Sequence, residues 1–162
     1  MKNTNGNNSK FAVTIDLDWA SEEAIEVTLS YFESREIPVT VFSTHDSALI
    51  RSKIYSLEIG VHPYFDLNSS HGNHIEETIA TVLELPHNIK SYRCHRFTLS
   101  NEIQSAMQRA GMICSSNVCT NLEVVKPFFN RFNTLEIPIF MEDGAFLYNR
   151  HSLSINTYMR NL

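Results

Sequence analysis

Residues 11–19 read FAVTIDLDW, and the rest of the chain is organised around this stretch. Its first half alternates apolar residues with others and is rich in β-branched side chains, which is typical of a buried strand. It ends in two acids, Asp16 and Asp18, whose spacing of two puts both carboxylates on one side of an extended chain. Because ligands of α/β proteins bind at the carboxyl ends of strands, both acids are candidate site residues. The alternative is a polar turn in which Asp18 caps the next helix.

The composition bounds the class of protein. The chain has 162 residues, of which 43% are hydrophobic, and this fits one domain with a real core. Its net charge of −5 argues against a nucleic-acid partner, since such proteins usually present a basic face. The three cysteines lack the spacing of a disulfide framework and indicate thiols in a reducing compartment. Without a signal peptide or an apolar run that could span a bilayer, we expect a soluble cytoplasmic protein with no membrane span.

Strand and helix patterns alternate along the rest of the chain, which argues for a parallel sheet or barrel. We expect residues 1–10 to be a disordered tail and residues 11–162 to form a single domain. The predicted strands are 11–16, 39–43, 55–61, 90–95, 112–117 and 135–140. The predicted helices are 21–36, capped by Ser21, 48–52, 73–84, capped by Asn73 with Glu76 in the capping-box position, and 101–111, capped by Ser100. Residues 117–134 are expected to be irregular, and MEDG (141–144) to be an acidic turn.

Ionisable side chains lie at the ends of four of the predicted strands. They are Asp16 with Asp18, His62, Arg93 with His95, and Glu142 with Asp143. In a parallel α/β fold these strand ends lie on one face, so the side chains can converge. A carboxylate with two imidazoles is a plausible ligand set for a catalytic zinc ion, which needs three protein ligands and an open position for water. If Asp18 is a ligand, Asp16 is the spare carboxylate that takes the proton of that water.

Each of these residues also has a structural interpretation. His62 precedes a proline and fits a turn, and His95 fits an exposed strand end. Asp66, four residues after His62, is a rival third ligand. His71 and His74 are expected to be solvated loop residues, although either could reach a metal. The other histidines, His45, His87 and His151, are expected at the surface. The late acids Glu142 and Asp143 are expected in a polar turn.

Five motifs together resemble the polysaccharide deacetylase family, also called the NodB-homology family or carbohydrate esterase family four. They are TIDLDW (14–19), IPVTVFSTHDS (37–47), EIGVHPYF (58–65), YRCHRF (92–97) and LEIPIFMEDG (135–144). They occur in the family's order and cover most of residues 11–147. The chain looks most similar to the short cytoplasmic, WbmS-like branch that is found with surface-polysaccharide genes.

The resemblance implies a fold, a reaction and a set of roles. The fold would be an α/β fold of the polysaccharide deacetylase type, a distorted (β/α) barrel with fewer than eight regular strands. The reaction would be hydrolysis of an acyl group from an amino sugar of a surface polysaccharide or its precursor, with a divalent metal, often zinc. By resemblance, Asp16 is the general base, Asp18 and His62 are metal ligands, and Arg93 orients the base.

The chain departs from the family pattern in two ways. The usual second histidine is Asp66, and the usual Arg-x-Pro is Arg93-Cys94-His95, so we expect His95, or alternatively Asp66, to complete the metal set. The late histidine that acts as general acid is missing from its usual strand. Either the last barrel strands are absent and the barrel is incomplete, or another group is the acid. The candidates are His71, His74, His151, Glu142 and Asp143.

Two other functions fit parts of the pattern. A haloacid-dehalogenase-like phosphatase would use Asp16 as nucleophile and Asp18 as acid, with magnesium held by the late acids. It leaves His62 and His95 without a role, and Ala20 stands where that fold requires threonine or valine. The non-enzymatic alternative is a metal- or sugar-binding domain that kept the fold and lost the acid.

Overall fold

The computed structural model describes residues 11–85 and 89–150, which form a sheet with helices packed against it. The strands are β1 (Val13–Asp16), β2 (Val39–Ser43), β3 (Glu58–Val61), β4 (Ser91–Tyr92), β5 (Cys114–Ser115), β6 (Phe128–Phe129) and β7 (Leu135–Glu136). The helices are α1 (Glu22–Glu33), α2 (Ala48–Ser52), α3 (Ile75–Leu83), α4 (Asn101–Arg109) and α5 (Asp143–Arg150), with a 3₁₀ turn at His95–Phe97. The N-terminal tail, His87 and His151 lie outside the described residues.

The strand order is β1-β2-β3-β4-β5-β7-β6. All neighbours are parallel except β6, which runs antiparallel to β7. The first five strands therefore follow one another in chain order, as in a barrel, whereas a doubly wound sheet reverses its order at an internal strand. Within the described residues the sheet is not closed, and β1 and β6 are its edges. The predicted α/β fold of the polysaccharide deacetylase type is confirmed in this open form.

The sheet is strongly curled, as one side chain shows. Arg93, which follows β4, donates hydrogen bonds both to Thr14 in β1 and to Ser116 just after β5. In a flat sheet, four strand spacings of about 4.8 Å would separate β1 from β5 by about 19 Å. A single guanidinium group cannot bridge that gap, so the strand ends must turn towards a common interior.

Two apolar clusters hold the helices against the sheet. The first joins α1 and α2 to the β1–β2 side, and the second joins α3 and α4 to β3 and β4. Each fully buried aliphatic side chain contributes about 1.5–3 kcal/mol by leaving water. The buried members of the first cluster are Leu17, Ile25, Leu29, Val41 and Ile50. The largest buried members of the second are Tyr92, Met107, Val61 and Val82.

Two of the three predicted helix caps are confirmed. The Ser21 and Ser100 hydroxyls accept hydrogen bonds from the backbone N–H groups of Ala24 and Ile103. The prediction for α3 was wrong by one residue. His74 occupies the N-cap position without a side-chain cap, and Glu77 rather than Glu76 accepts the N–H of Asn73, at 2.7 Å. Since the helix begins one residue later than predicted, the glutamate that reaches back also shifts by one.

The later part of the chain departs most from the predictions. The strands predicted at 90–95, 112–117 and 135–140 are only two residues long, although backbone hydrogen bonds to the neighbouring strand continue just beyond them, as from Arg93 N–H to the Val61 carbonyl and from Ser116 N–H to the Tyr92 carbonyl. The region expected to be irregular contains β6. The acidic turn is the beginning of α5, where a Glu142 carboxylate oxygen accepts the N–H of Gly144 at 3.0 Å.

We expect Gly60→Ala to lower the free energy of unfolding by about 1–3 kcal/mol, as overpacking of a core does. A Cβ atom on Gly60 would lie 2.6 Å from two atoms of the Phe42 ring and 2.8 Å from Ser91 Oγ. The Phe42 ring lies 4.5 Å from the Arg93 guanidinium carbon, so it cannot move aside without disturbing the site. Urea unfolding measures the effect, and an unchanged midpoint would contradict this tight packing.

Candidate metal centre

Three of the predicted site residues converge at the carboxyl ends of β1, β3 and β4. Asp18 lies two residues after β1, His62 directly follows β3, and His95 begins the 3₁₀ turn after β4. Asp18 Oδ1 lies 3.2 Å from His62 Nε2 and 2.9 Å from His95 Nδ1. His62 Nε2 and His95 Nδ1 are 3.3 Å apart. The fold therefore brings one carboxylate and two imidazoles, distant in sequence, to one point.

The distances between these donor atoms suit a small divalent ion. Two ligand atoms that each lie about 2.1 Å from a tetrahedral zinc ion are about 3.4 Å apart. The three separations here, from 2.9 to 3.3 Å, come close to that value. Nitrogen and carboxylate oxygen are also donors that zinc accepts. Geometry and donor chemistry of Asp18, His62 and His95 are thus consistent with one metal ion.

A tight backbone turn carries Asp18. Asp18 and Trp19 both have positive φ angles, 43° and 59°, which are uncommon for residues other than glycine and rarer still for a bulky side chain. The turn is held by hydrogen bonds from Leu17 N–H to the Phe42 carbonyl (3.1 Å) and from Trp19 N–H to Thr44 Oγ1 (3.0 Å). Such strained conformations concentrate at functional sites, where surrounding contacts maintain them.

His62 is buried and held in one orientation. Its Nδ1–H donates to the Arg93 carbonyl at 2.7 Å, so the lone pair of Nε2 is directed towards Asp18 and His95. Burial lowers the pKa of His62 below its ordinary value of 6.5, against the opposing effect of the nearby Asp16 carboxylate. The ring is therefore neutral at pH 7, and neutral imidazole is the form that binds metals.

His95 is positioned by its backbone and by aromatic neighbours. The backbone N–H of His95 donates to the Pro63 carbonyl at 2.8 Å. Its ring packs edge-to-face against Tyr64 and Trp19, at centroid distances of 4.7 and 5.3 Å. The prediction of a strand end was wrong in detail, because β4 stops at Tyr92 and a 3₁₀ turn presents His95 instead.

Asp16 and Arg93 form a pair beside the three donors. Asp16 Oδ1 accepts from Arg93 Nη1 at 2.9 Å, and Asp16 Oδ2 lies 3.9 Å from His62 Nε2. Arg93 is 5% exposed and donates further to Thr14 Oγ1 (2.9 Å), the Ser116 carbonyl (3.0 Å) and Ser116 Oγ (2.8 Å). Four hydrogen bonds thus fix the guanidinium, which in turn fixes the Asp16 carboxylate. Sequence reasoning missed Thr14 and Ser116, since a lone hydroxyl carries no spacing signal.

The rival third ligands do not join the cluster. Asp66 pairs with Arg96 Nη1 at 3.1 Å. His71 is buried, contrary to the prediction of a solvated loop residue. Its Nδ1 accepts the Tyr64 N–H (3.0 Å) and its Nε2–H donates to the Thr44 carbonyl (2.7 Å), so both ring nitrogens are occupied. His74 is exposed at the start of α3.

Two buried histidines predict an acid-sensitive fold. Burial lowers the pKa of His62 and of His71 below 6.5, so below that pH the unfolded chain binds protons that the folded chain does not. The unfolding free energy of the metal-free protein should therefore fall as pH falls below about 6.5, by up to about 1.4 kcal/mol per pH unit for each histidine. Urea unfolding at pH 7.5, 6.5 and 5.5 measures this loss.

His71→Gln is the matched test of this assignment. The glutamine amide can still donate to the Thr44 carbonyl but does not titrate. The unfolding free energy of the variant should therefore fall less steeply with pH, by the contribution of one histidine proton. Parallel stability curves for the variant and the parent chain would contradict a role for His71.

The chain is a barrel-like α/β protein with a carboxylate and imidazole cluster at the carboxyl ends of its parallel strands. The family model of the WbmS-like polysaccharide deacetylases matches residues 13–160, and the chain belongs to this family. A search of curated proteins found no match. Among the helices of the described residues, none is long and apolar enough to cross a membrane.

Two solved structures share the fold. One is WbmS of Bordetella bronchiseptica, assigned as a polysaccharide deacetylase involved in O-antigen biosynthesis, with a TM-score of 0.80 and 23% identity. The match covers 88% of this chain and 62% of that one. The other is a protein of Mycobacterium smegmatis assigned as a polysaccharide deacetylase, with a TM-score of 0.53, 15% identity and coverage of 79% and 57%. The chain thus spans about three fifths of the length of these relatives.

Proposed function

We propose that this chain is a metal-dependent hydrolase that removes an acyl group from an amino sugar of a surface polysaccharide or its precursor. The observation that carries the proposal is the position of the Asp16–Arg93 pair beside the Asp18, His62 and His95 donors. Membership of the polysaccharide deacetylase family supports the reaction class and the carbohydrate substrate. The sequential strand order and the family assignment leave no support for the phosphatase alternative.

Asp18, His62 and His95 would hold the ion, which we propose is zinc. Zinc in such a site polarises a carbonyl oxygen and lowers the pKa of water to about 7. His62 binds through Nε2, because its Nδ1–H is committed to the Arg93 carbonyl. His95 presents Nδ1, the ring nitrogen nearest Asp18. Two neutral imidazoles and one carboxylate leave net positive charge at a zinc site, which favours an electron-rich acyl oxygen.

Asp16 is the proposed general base. Its Oδ1 is held by Arg93, and its Oδ2 lies on the side of His62 Nε2, where a water attacking the acyl carbon would give up its proton. Arg93 keeps this carboxylate in one orientation and stabilises its negative charge until the proton arrives. A positioned base of this kind contributes on the order of 10²–10⁴-fold to a hydrolysis rate.

An exposed aromatic surface beside the donors fits a carbohydrate substrate. Trp19 is 39% exposed although its ring contacts His95, and Tyr64 contacts both of these rings. Exposed aromatic rings can pack against the apolar face of a sugar while polar groups fix its orientation. Cys94, Cys114 and Cys119 are free thiols in the structure, which is consistent with our further proposal of a cytoplasmic location.

The general acid separates the proposed enzyme from its non-enzymatic alternative. Amide hydrolysis must protonate a poor nitrogen leaving group, and the occupied ring nitrogens of His71 remove one candidate. Glu142 caps α5, and His74 lies at the start of α3. These observations favour, as the second candidate, a metal- and sugar-binding domain that hydrolyses acylated amino sugars slowly or not at all.

Acetate release is the experiment that tests the proposed function. The zinc-loaded chain is incubated with N-acetylated and O-acetylated hexosamines and their oligomers, and free acetate is measured against a metal-free sample. Zinc-dependent release supports the hydrolase. Zinc and sugar binding without release would identify the binding domain, and failure to bind zinc would refute both.

A further inference from the structure

We propose that Glu136 is a positioning residue, which holds the Arg93–His95 segment in place through Asn117 and thereby sets the affinity of the candidate metal centre. The inference rests on the proposed metal site but concerns residues outside it. Glu136 lies on β7, next to β5 in the sheet, and within the part of the chain that the structure describes it forms no hydrogen bond with the three donor side chains.

The first link joins Glu136 to the chain after β5. Glu136 is 2% exposed, and its Oε1 accepts the backbone N–H groups of Asn117 (2.6 Å) and Val118 (3.0 Å). A buried carboxylate is costly unless hydrogen bonds replace its water, and these two N–H groups do so. The carboxylate in turn fixes the direction in which the chain leaves β5.

The second link joins Asn117 to the strand-end segment of the site. Asn117 Oδ1 accepts the Cys94 N–H at 2.7 Å, and its Nδ2 donates to Ser115 Oγ at 2.9 Å. Asn117 is 7% exposed, so water does not compete freely for these bonds. Cys94 lies between Arg93, which orients Asp16, and His95, the proposed ligand. The hydrogen bond to its N–H therefore fixes the backbone that connects these two residues.

The third link makes the same turn hold the arginine head group. Ser116, next to Asn117, accepts two hydrogen bonds from the Arg93 guanidinium. A shift of the 116–118 turn would thus displace the Arg93 side chain and the Cys94 backbone together. The Arg93 carbonyl also accepts a hydrogen bond from His62 Nδ1–H. The positions of both imidazoles, His62 and His95, therefore depend on this segment. Partners that orient metal ligands from outside typically change metal affinity about 10–100-fold when they are removed.

Glu136→Met and Glu136→Gln test the inference as a pair. Methionine leaves the N–H groups of Asn117 and Val118 without an acceptor, whereas glutamine retains a carbonyl oxygen. We expect Glu136→Met to weaken zinc binding at least about 10-fold, measured by competition with a chromophoric chelator, and Glu136→Gln to stay within about 3-fold of the parent. In metal-free protein, the Cys94 amide should exchange its hydrogen faster in Glu136→Met.

Thr134→Val is the matched control. Thr134 is a buried polar residue two positions before Glu136, and its hydroxyl has no hydrogen-bond partner among the described residues. This variant should keep both the zinc affinity and the Cys94 exchange rate of the parent chain.

Folded Glu136→Met protein with the parent's zinc affinity and Cys94 exchange rate would overturn the inference. If Glu136→Met does not fold, Asn117→Ala decides, because it removes the acceptor for the Cys94 N–H together with the bond to Ser115 Oγ and keeps the backbone bond to Glu136. Weakened zinc binding by Asn117→Ala supports the inference that Glu136 acts through Asn117, and unchanged binding overturns it. If the parent chain itself binds no zinc, the proposed function fails, and the Cys94 exchange rates alone decide the role of Glu136.

Discussion

His62→Ala is expected to remove most of the zinc from the protein. The variant removes one of three protein ligands. Loss of a residue that only orients a ligand lowers metal affinity up to about 100-fold, so loss of a ligand should lower zinc affinity by more. Zinc content after dialysis should fall from near one ion per chain towards zero. Trp19, the single tryptophan of the chain, lies 5.3 Å from the His95 ring, so its fluorescence provides an independent signal of metal binding.

Two further variants separate the loss of a ligand from a loss of structure. His62→Asn places an amide nitrogen near the position of Nδ1, so it can still donate to the Arg93 carbonyl while lacking Nε2. It should lose zinc as His62→Ala does. His74→Ala removes an exposed histidine that makes no side-chain cap, and its zinc content should match the parent. Zinc retained in both His62 variants would remove His62 from the ligand set.

Asp16→Asn should lower any measured deacetylase rate on the order of 10²-fold or more while leaving zinc bound. The asparagine oxygen can still accept from Arg93, so the geometry of the pair is preserved and only the basic carboxylate is lost. Because Asp18, His62 and His95 are unchanged, zinc affinity should remain close to that of the parent. The rate and the metal content must therefore be measured on the same preparation.

Asp46→Asn is the control for this charge change. Asp46 forms an exposed ion pair with Arg51 and is not among the clustered donors, so its loss should change neither rate nor zinc content. An Asp16→Asn variant that keeps both its zinc and its full rate would show that Asp16 is not the general base. A variant that loses both would instead assign Asp16 to the metal site.

Much of the fold could be predicted from the sequence because its signals are local. The strand 13–16 and the helix that follows Ser21 are specified by alternation, amphipathic spacing and a serine cap. The placement of Asp18, His62 and His95 after β1, β3 and β4 required only that consecutive strands be parallel neighbours. Their convergence at one point followed from that order, although their distances did not.

The features that the sequence did not predict depend on contacts between residues distant in the chain. His71 reads as a loop histidine in sequence, yet Tyr64 and Thr44 engage both ring nitrogens once the loop folds over β2. Asn117 and Glu136 lie 19 positions apart and show no pattern until β5 and β7 become neighbours.

The positive φ angles of Asp18 and Trp19 were also beyond the sequence pattern. Neither residue is a glycine, and alternation continues through Leu17, so the sequence left extended chain and a polar turn as alternatives. The turn is maintained by bonds to Phe42 and Thr44, which belong to the neighbouring strand and the loop after it. A functional site thus differs from its local propensity where its geometry matters most.

Anomalous diffraction at the zinc edge, from crystals of the full chain soaked in zinc, tests the central claim most directly. The account predicts one strong peak within about 2.0–2.2 Å of a carboxylate oxygen of Asp18, Nε2 of His62 and Nδ1 of His95. A peak held instead by Asp66 or His74, or no peak at these three side chains under saturating zinc, would contradict it.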